Sequence, residues 1–484
     1  MSAIVTDKIK KQFLEDMFKD FDSAGVRYYA GIARSEQWDE QDNVATPQPR
    51  KRDERDARMN MQSVKNITDR SFVVPRSNWS SGTQYSPYDD NHIGYPLQPY
   101  YVMNSNQELY VCLQQGRDAN GSPVNSTTQP TGNTTGVPFT TADGYVWKFL
   151  YSIGALLASK FLSSSYIPVQ LVDSDEAASV DATAEQVEQR AVQLAATPGE
   201  IVGVQVVGGG NNYTGTPTAK IDGDGTGAEV VAIVSGNSVV NLRVKQDSDG
   251  NLQGTNPNGW STGSFRGSGY KRASVSFAGG GGTGASGRVI LGPENGLGAD
   301  PRDDLKSGAC MFNAKIDGAE GGDFLLGDNT FRQVLLLRNP LVRDSANRSE
   351  LDFFTDATGS TLDRAILTSI NGSFVEDQFI TAQNGDTPFS KAYIDTVDSV
   401  SVDGSQARLL VHQNEGTGFT PFIGQSVTLD VADGNGTNTG KILQNNYIRG
   451  EVDPLSGELL YIDNRAAVDR SSEQTEDLKI VIQL

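Results

Sequence analysis

The chain is short of the residues that carry most enzyme chemistry. Its 484 residues include two histidines, His92 and His412, and two cysteines, Cys112 and Cys310. Two thiols over this length make no disulfide framework. Each sits among apolar neighbours (Val111 and Leu113; Ala309 and Met311), so buried reduced thiols and assembly in a reducing cytoplasm are expected. Two histidines in separate segments supply neither a multi-histidine zinc site nor a convincing partner for a serine or cysteine nucleophile. His92 follows Asp89-Asp90-Asn91, but no second ligand cluster accompanies it, and a polar loop is expected there. Long apolar runs are missing as well. Nothing approaches the ~18 residues of a membrane span, and the opening residues Met1 to Lys8 lack the apolar stretch of a signal peptide. A soluble protein that contacts no membrane is expected.

Positive charge is scarce. The formal net charge is −20, which disfavours phosphate backbones and anionic lipid surfaces. The one basic cluster, Arg50 to Arg58, holds five basic and three acidic residues. That is too weak for a nucleic-acid footprint and reads as a solvated mixed-charge loop. The Gly-rich runs Gly208-Gly209-Gly210 and Gly279 to Gly284 lack a Gly-Lys-Ser/Thr ending and open no helix, so they are not phosphate loops. Asp222-Gly223-Asp224-Gly225-Thr226-Gly227 resembles a calcium loop only at its start, because Ile233 stands where a bidentate Glu is needed. Asp247 to Asn251 fails in the same way, with Leu252 at the glycine position and Asn258 at the twelfth. Carboxylates are abundant, at 60, but nothing singles out an acid–base pair. Neither an enzyme nor a cofactor is expected.

What the chain does have is glycine, 52 residues of it, with only 37% apolar residues and recurrent alternating segments. This composition predicts β-rich domains with many turns, two to four of them by length. Residues 4–21 predict an amphipathic helix with Ile9, Phe13, Met17 and Phe21 on one face, Leu14 and Phe18 beside them, and Thr6 as N-cap. Val26 to Ala33 and Glu108 to Leu113 predict strands, and 183–196 has helix-forming composition.

A repeat begins near Pro198-Gly199. Tyr213 and Gly225-Thr226-Gly227-Ala228 recur, fifty-seven positions on, as Tyr270 and Gly282-Thr283-Gly284-Ala285. Each copy carries a short alternating strand and then an apolar one, so 199–300 reads as a small β-repeat domain. Residues 356–452 read as another β insertion, with strands at Phe374 to Ile380, Ala392 to Val397, Ala407 to His412 and Ser426 to Val431.

Several short segments, taken in order, resemble one family. Arg34-Ser35-Glu36-Gln37-Trp38 comes first, and Val74-Pro75-Arg76 with Trp79 and Tyr85-Ser86-Pro87-Tyr88 follows. Asp143-Gly144-Tyr145-Val146-Trp147, Phe331-Arg332-Gln333, Asn339-Pro340-Leu341, and Ser456-Gly457-Glu458 through Asn464-Arg465 to Gln474-Thr475-Glu476 complete the series. Together they resemble the small wedge protein of T-even-type contractile phage baseplates. The resemblance covers about residues 1–180, 305–345 and 455–484 and leaves out 199–300 and 356–452.

It implies a mainly β fold: a layered β-sandwich core with an N-terminal helix and edge helices, carrying two inserted small β domains. The core is then split into 1–198, 301–355 and 453–484, around insertions at 199–300 and 356–452. It further implies a homodimer in a virion tail baseplate, assembled in the host cytoplasm. The implied neighbours are the peripheral arm protein, the short-fibre-carrying protein and the inner-ring wedge protein. Trp38, Trp79, Tyr85, Tyr88, Tyr100 and Tyr101 are the candidate core or interface anchors, since Tyr and Trp combine an apolar body with a polar tip. A competing expectation is a glycan-binding module on the repeat. It is supported if Tyr213 and Tyr270 are presented on exposed loops; Thr226 and Thr283 mark the corresponding positions of the repeat.

Overall fold

The computed structural model describes residues 6–131, 136–245, 265–316, 329–343, 352–384, 387–401, 403–412, 428–471 and 474–484. The chain is mainly β, with an N-terminal helix, a few short edge helices and several small sheets. It forms two compact units, and each is interleaved in sequence. One comprises 1–11, 71–310 and 482–484; the other comprises 12–70 and 311–481. The segment Asp247 to Asn251 and the start of the strand expected at Ser426 to Val431 lie outside the described residues.

In the second unit, an antiparallel sheet runs in the order Thr358–Ser360, Met61–Asn66, Tyr28–Ala33, Asn329–Arg338, Glu458–Arg470. Its two central members, Tyr28–Ala33 and Asn329–Arg338, are buried almost throughout, as near-continuous apolar runs demand. The same unit holds a closed barrel of six strands: Asp363–Asn371, Gln406–His412, Thr387–Val400, Phe379–Asn384, Leu429–Asp433 and Thr439–Ile448. Alternate residues fill it, including Ala365, Leu367, Ile380, Ala382, Ile394, Leu409, Val411, Val431 and Ile442. The small alanines among them suit a barrel this narrow.

Three expectations need correction here. Arg50 to Arg58 is not a loop, because Lys51–Met59 is a helix. Ion pairs at helical spacing, Lys51–Glu54 and Arg52–Asp56, support it, and Ala57 alone is buried. Arg58 reaches the carbonyls of Pro454, Ser456 and Gly457, so the helix is tied down by a charged side chain and not by an apolar stripe. The N-terminal helix runs Asp7–Phe21, and its inward face is rotated from the expected one. Leu14 is fully buried, and Phe18 and Phe21 meet Phe312, while Ile9 and Phe13 are exposed. In the barrel, the strand expected at Phe374 to Ile380 is Phe379–Asn384, and Asp363–Asn371 and Thr439–Ile448 were not expected.

The first unit contains a four-stranded sheet in the order Tyr101–Met103, Glu108–Gln114, Val146–Ser152, Phe139–Thr140. Helix Ala184–Ala195 starts with a capping box between Thr183 and Gln186, and its Val192 joins the Tyr110–Trp147 core. Cys112 and Cys310 are free and buried, and burial pushes the Cys310 thiol up to about 12.

The two repeat copies are interlocked by a pseudo-two-fold exchange. Thr218↔Ala278 and Ile221↔Val275 pair across Thr218–Gly223 and Ala273–Ala278, and each pair maps onto the other under the fifty-seven-residue shift. Thr226↔Ser268 and Thr283↔Asn211 are related in the same way. The tyrosines cross over. The ring of Tyr213 lies against Gly282 of the second copy, and that of Tyr270 against Gly225 of the first. A Cβ on Gly282 would sit 2.5 Å from the Tyr213 ring, and one on Gly225 would sit 2.4 Å from the Tyr270 ring. The glycines are there because an aromatic face covers their Cα atoms.

Candidate functional site

The segments of the second unit that carry the family resemblance lie far apart in sequence, and the fold gathers them at one place. Asn329–Arg338 pairs with Glu458–Arg470, which sets Gln333 opposite Asn464. Gln333 Nε2 donates to Asn464 Oδ1 at 2.8 Å. Arg332 is buried; its Nε–H is shared between the two Asp42 carboxylate oxygens at 2.9 and 3.0 Å, while its Nη1 donates to the Ser35 carbonyl. Asp42 accepts from the Trp38 backbone N–H at 3.0 Å. The Trp38 ring is half-buried; its Nε1–H donates to the Arg465 carbonyl at 2.9 Å, and the Arg34 guanidinium lies 4.4 Å over the ring. At the far end of the sheet, Leu341 N–H donates to Ser456 Oγ at 2.8 Å and Asp453 N–H to the Leu341 carbonyl at 2.9 Å. The hydrogen bond from the Trp38 amide, together with Arg332, holds the Asp42 carboxyl below its usual range.

The first-unit segments converge in the same manner. Trp147 is fully buried and is packed by Tyr85 at 5.6 Å and Tyr145 at 5.7 Å. Tyr88, Tyr100 and Tyr101 form edge-to-face contacts at 5.7 and 5.2 Å. Two of the hydroxyls find backbone partners: Tyr100 donates to the Asp304 carbonyl and Tyr101 to that of Pro75. Tyr85, Tyr88, Tyr100 and Tyr101 are therefore core residues of their own chain. Trp79 is half-buried and donates to Ser126 Oγ at 3.1 Å.

Asp143 opens the Asp-Gly-Tyr-Val-Trp segment and organises this loop. Burial opposes its charge, but Thr141 Oγ1, the Thr128 and Thr127 amides and Ser126 Oγ all donate to it and hold its carboxyl below the usual range. A depressed folded-state pKa stabilises above the unfolded carboxylate range, and this contribution is lost as pH falls through the folded value. Asp143→Asn is therefore expected to cost about 1–3 kcal/mol at neutral pH. Denaturation of both proteins across pH checks it: the gap should narrow below about pH 4.

The repeat tyrosines are buried, Tyr213 and Tyr270 alike, while Thr226 and Thr283 stand exposed on strands. The aromatic exposure required by the glycan expectation is not present at these two positions. The physical reason is the exchange described above: each ring closes the other copy.

Two clefts remain. One, of about 440 Å³ in the first unit, is lined by Gln114, Gln115, Gln205, Asn241, Arg117 and aliphatic side chains. The other, of about 190 Å³ in the second unit, is lined by Arg343, Asp363, Arg449, Asp453 and His412, among others. His412 Nδ1 meets Asp395 at 2.5 Å, and Ser35 Oγ donates to the other Asp395 oxygen at 2.7 Å. The order is Ser–Asp–His. The carboxylate stands between hydroxyl and imidazole, so the imidazole cannot take the serine proton, and this is not a nucleophile-activating arrangement. The trio leaves no mark in the sequence, because Ser35 and Asp395 lie 360 residues apart along the chain. Among the described residues, no three His, Cys, Asp or Glu side chains converge as a metal site, and no helix is long and apolar enough to cross a membrane.

Comparison with known proteins adds no assignment: no family model matches the chain, and no curated protein matches it.

Proposed function

We propose that the chain is a structural subunit of a contractile-tail baseplate wedge, which links neighbouring wedge proteins and takes part in the rearrangement that triggers sheath contraction. One observation carries this reading. The segments that bear the family resemblance are spread from Arg34 to Arg465, yet within each unit they meet in direct contact through Arg332, Asp42, Trp38 and Asn464, or through Tyr85, Tyr145 and Trp147. Their meeting fits segments that belong to one structural arrangement. The contacts are hydrogen bonds and packing, which suits a mechanical part, and no step of chemistry is needed to account for them.

On this reading the protein is a homodimer in the virion tail. Its neighbours are the peripheral arm protein, the short-fibre-carrying protein and the inner-ring wedge protein, and assembly occurs in the host cytoplasm. Nucleic acid and membrane are not partners. The acidic surface fits protein neighbours better than phosphate-bearing ones. Gold-labelled antibody against the chain, applied to intact particles, tests the reading. Label at the distal end of the tail is expected; label confined to the capsid or absent from particles would overturn it.

A further inference from the structure

The cleft of about 440 Å³ in the first unit opens on strand edges. Val204, Gln205 and Val206 of the strand Ile201–Asn211 line it, and so do Leu113, Gln114 and Gln115 at the end of Glu108–Gln114. Successive side chains of a strand point to opposite faces, so three residues in a row line one cleft only where the main chain itself faces it. Both edges are open there. Ile201–Asn211 is bonded on one side only, to Thr283–Leu291. Glu108–Gln114 has its last partners on the side away from Val146–Ser152 at Cys112, whose N–H donates to the Tyr100 carbonyl and whose carbonyl accepts from the Tyr88 N–H. Among the described residues no strand continues that ladder past Cys112. On the other side a bulge between Cys112 and Gln114 interrupts the pairing with Val146–Ser152.

The side chains add hydrogen-bonding groups to aliphatic walls. Asn241, on the strand Ser238–Val244, lines the cleft, is 7% exposed, and hydrogen-bonds with none of the described residues. A buried carboxamide is costly to leave unpaired, so its partner has to come from within the cleft. Gln114 uses its Nε2 on the Leu242 carbonyl, and Gln205 its Oε1 on Arg288. Each has the second atom of its amide left over. Arg117 is the one charged residue of the lining, and among the described residues no carboxylate pairs with it.

We infer that the cleft binds an extended peptide segment of another protein as an added strand, with aliphatic side chains turned inward and a carboxylate at the Arg117 end. The inference goes beyond the wedge reading and does not require it. Main-chain N–H and C=O groups match both an open strand edge and a carboxamide, and Val204, Val206 and Ile290 suit aliphatic side chains. A sugar fits less well, because no aromatic face lines the cleft for its ring to stack on. A second copy of this chain is a poor donor, since among the described residues every strand is already paired in a sheet of its own chain.

The test offers the purified full chain an equimolar library of acetylated, amidated hexapeptides built from Val, Ile, Thr, Ser and Glu, and reads the retained peptides by mass spectrometry. Peptides that combine Val or Ile with a Glu at one end are expected. Their affinity should fall at least tenfold with Asn241→Leu, and at least tenfold when one main-chain nitrogen of the peptide is methylated. Arg117→Glu, at an exposed position, gives a second variant should Asn241→Leu fail to fold; it should abolish the preference for Glu. Four results would overturn the inference. They are retention of no peptide, affinity unchanged in both variants, indifference to main-chain methylation, and binding of N,N′,N″-triacetylchitotriose in place of peptides. Self-association of the chain that Arg117→Glu abolishes would make a second copy the occupant and overturn it too. None of these results bears on where the chain sits in a particle, which the antibody label reads separately.

Discussion

Tyr213→Ala is expected to destabilise the repeat strands by about 3–5 kcal/mol, the range for truncating a buried aromatic ring. Tyr270→Ala should match it closely. The equality follows from the exchange geometry. Each ring covers a glycine of the other copy at the same point of the motif, Gly282 or Gly225, and both rings belong to one core with Ile201, Leu242, Val244 and Val289. Removing either ring exposes the strand pair Thr218–Gly223 and Ala273–Ala278, which the two copies share. Hydrogen exchange resolves the effect by segment: protection should fall across 201–244 and 266–291 together in either variant. Tyr→Phe at the same positions should cost no more than about 1 kcal/mol, since Tyr270 Oη receives only a long 3.4 Å contact from the Ala228 amide. A glycan-binding role for these side chains predicts the reverse pattern, with stable variants that lose ligand.

Arg332→Ala is expected to cost about 3 kcal/mol of stability in the sheet that contains Asn329–Arg338. The side chain is buried and satisfies the Asp42 carboxylate and the Ser35 carbonyl together. Without it, Asp42 keeps the Trp38 amide but loses its counter-charge, and Trp38 loses the loop geometry that aims its ring nitrogen at the Arg465 carbonyl. Arg332→Lys should recover only part, because one ammonium nitrogen cannot reach both the Asp42 carboxylate and the Ser35 carbonyl as the guanidinium's Nε and Nη1 do. Asp42 has a depressed pKa when folded, so the gap between wild type and Arg332→Ala should shrink as pH drops below the ordinary carboxylate range. Trp38 fluorescence during denaturation reads the local transition. A variant with unchanged stability and unchanged Trp38 emission would remove Arg332 from its central place in this arrangement.

Much of the local structure was legible because it follows from short-range rules. Alternation marked the repeat strands, and helix-forming composition over 183–196 marked the helix Ala184–Ala195. Segments governed by other forces were not legible. Lys51–Met59 carries almost no apolar stripe and is secured by ion pairs and by Arg58 reaching distant carbonyls. The barrel strand Asp363–Asn371 turns alanine and leucine inward, and Ala365 gives a weak periodic signal. For the N-terminal helix the period was right and the face was rotated: Leu14, Phe18 and Phe21 turn inward, the two rings against Phe312, while Ile9 and Phe13 face out.

The candidate site shows the same division. The order of its motifs can be read along the chain, but not their meeting. Asp42 had no distinguishing mark in sequence, since it lies in an ordinary polar stretch, Asp39-Glu40-Gln41-Asp42-Asn43. The tyrosines could be singled out as anchors, but composition does not say whether a Tyr packs within its own subunit or against another. Here Tyr85, Tyr88, Tyr100 and Tyr101 pack within their own chain.

The central claim is that this chain is a wedge subunit, and the mass of the purified protein in solution tests it most directly. Measured by sedimentation, alone and then mixed with candidate wedge subunits of the same particle, the chain should be a dimer that enters a larger complex of fixed stoichiometry. A monomer that joins none of them would contradict the claim.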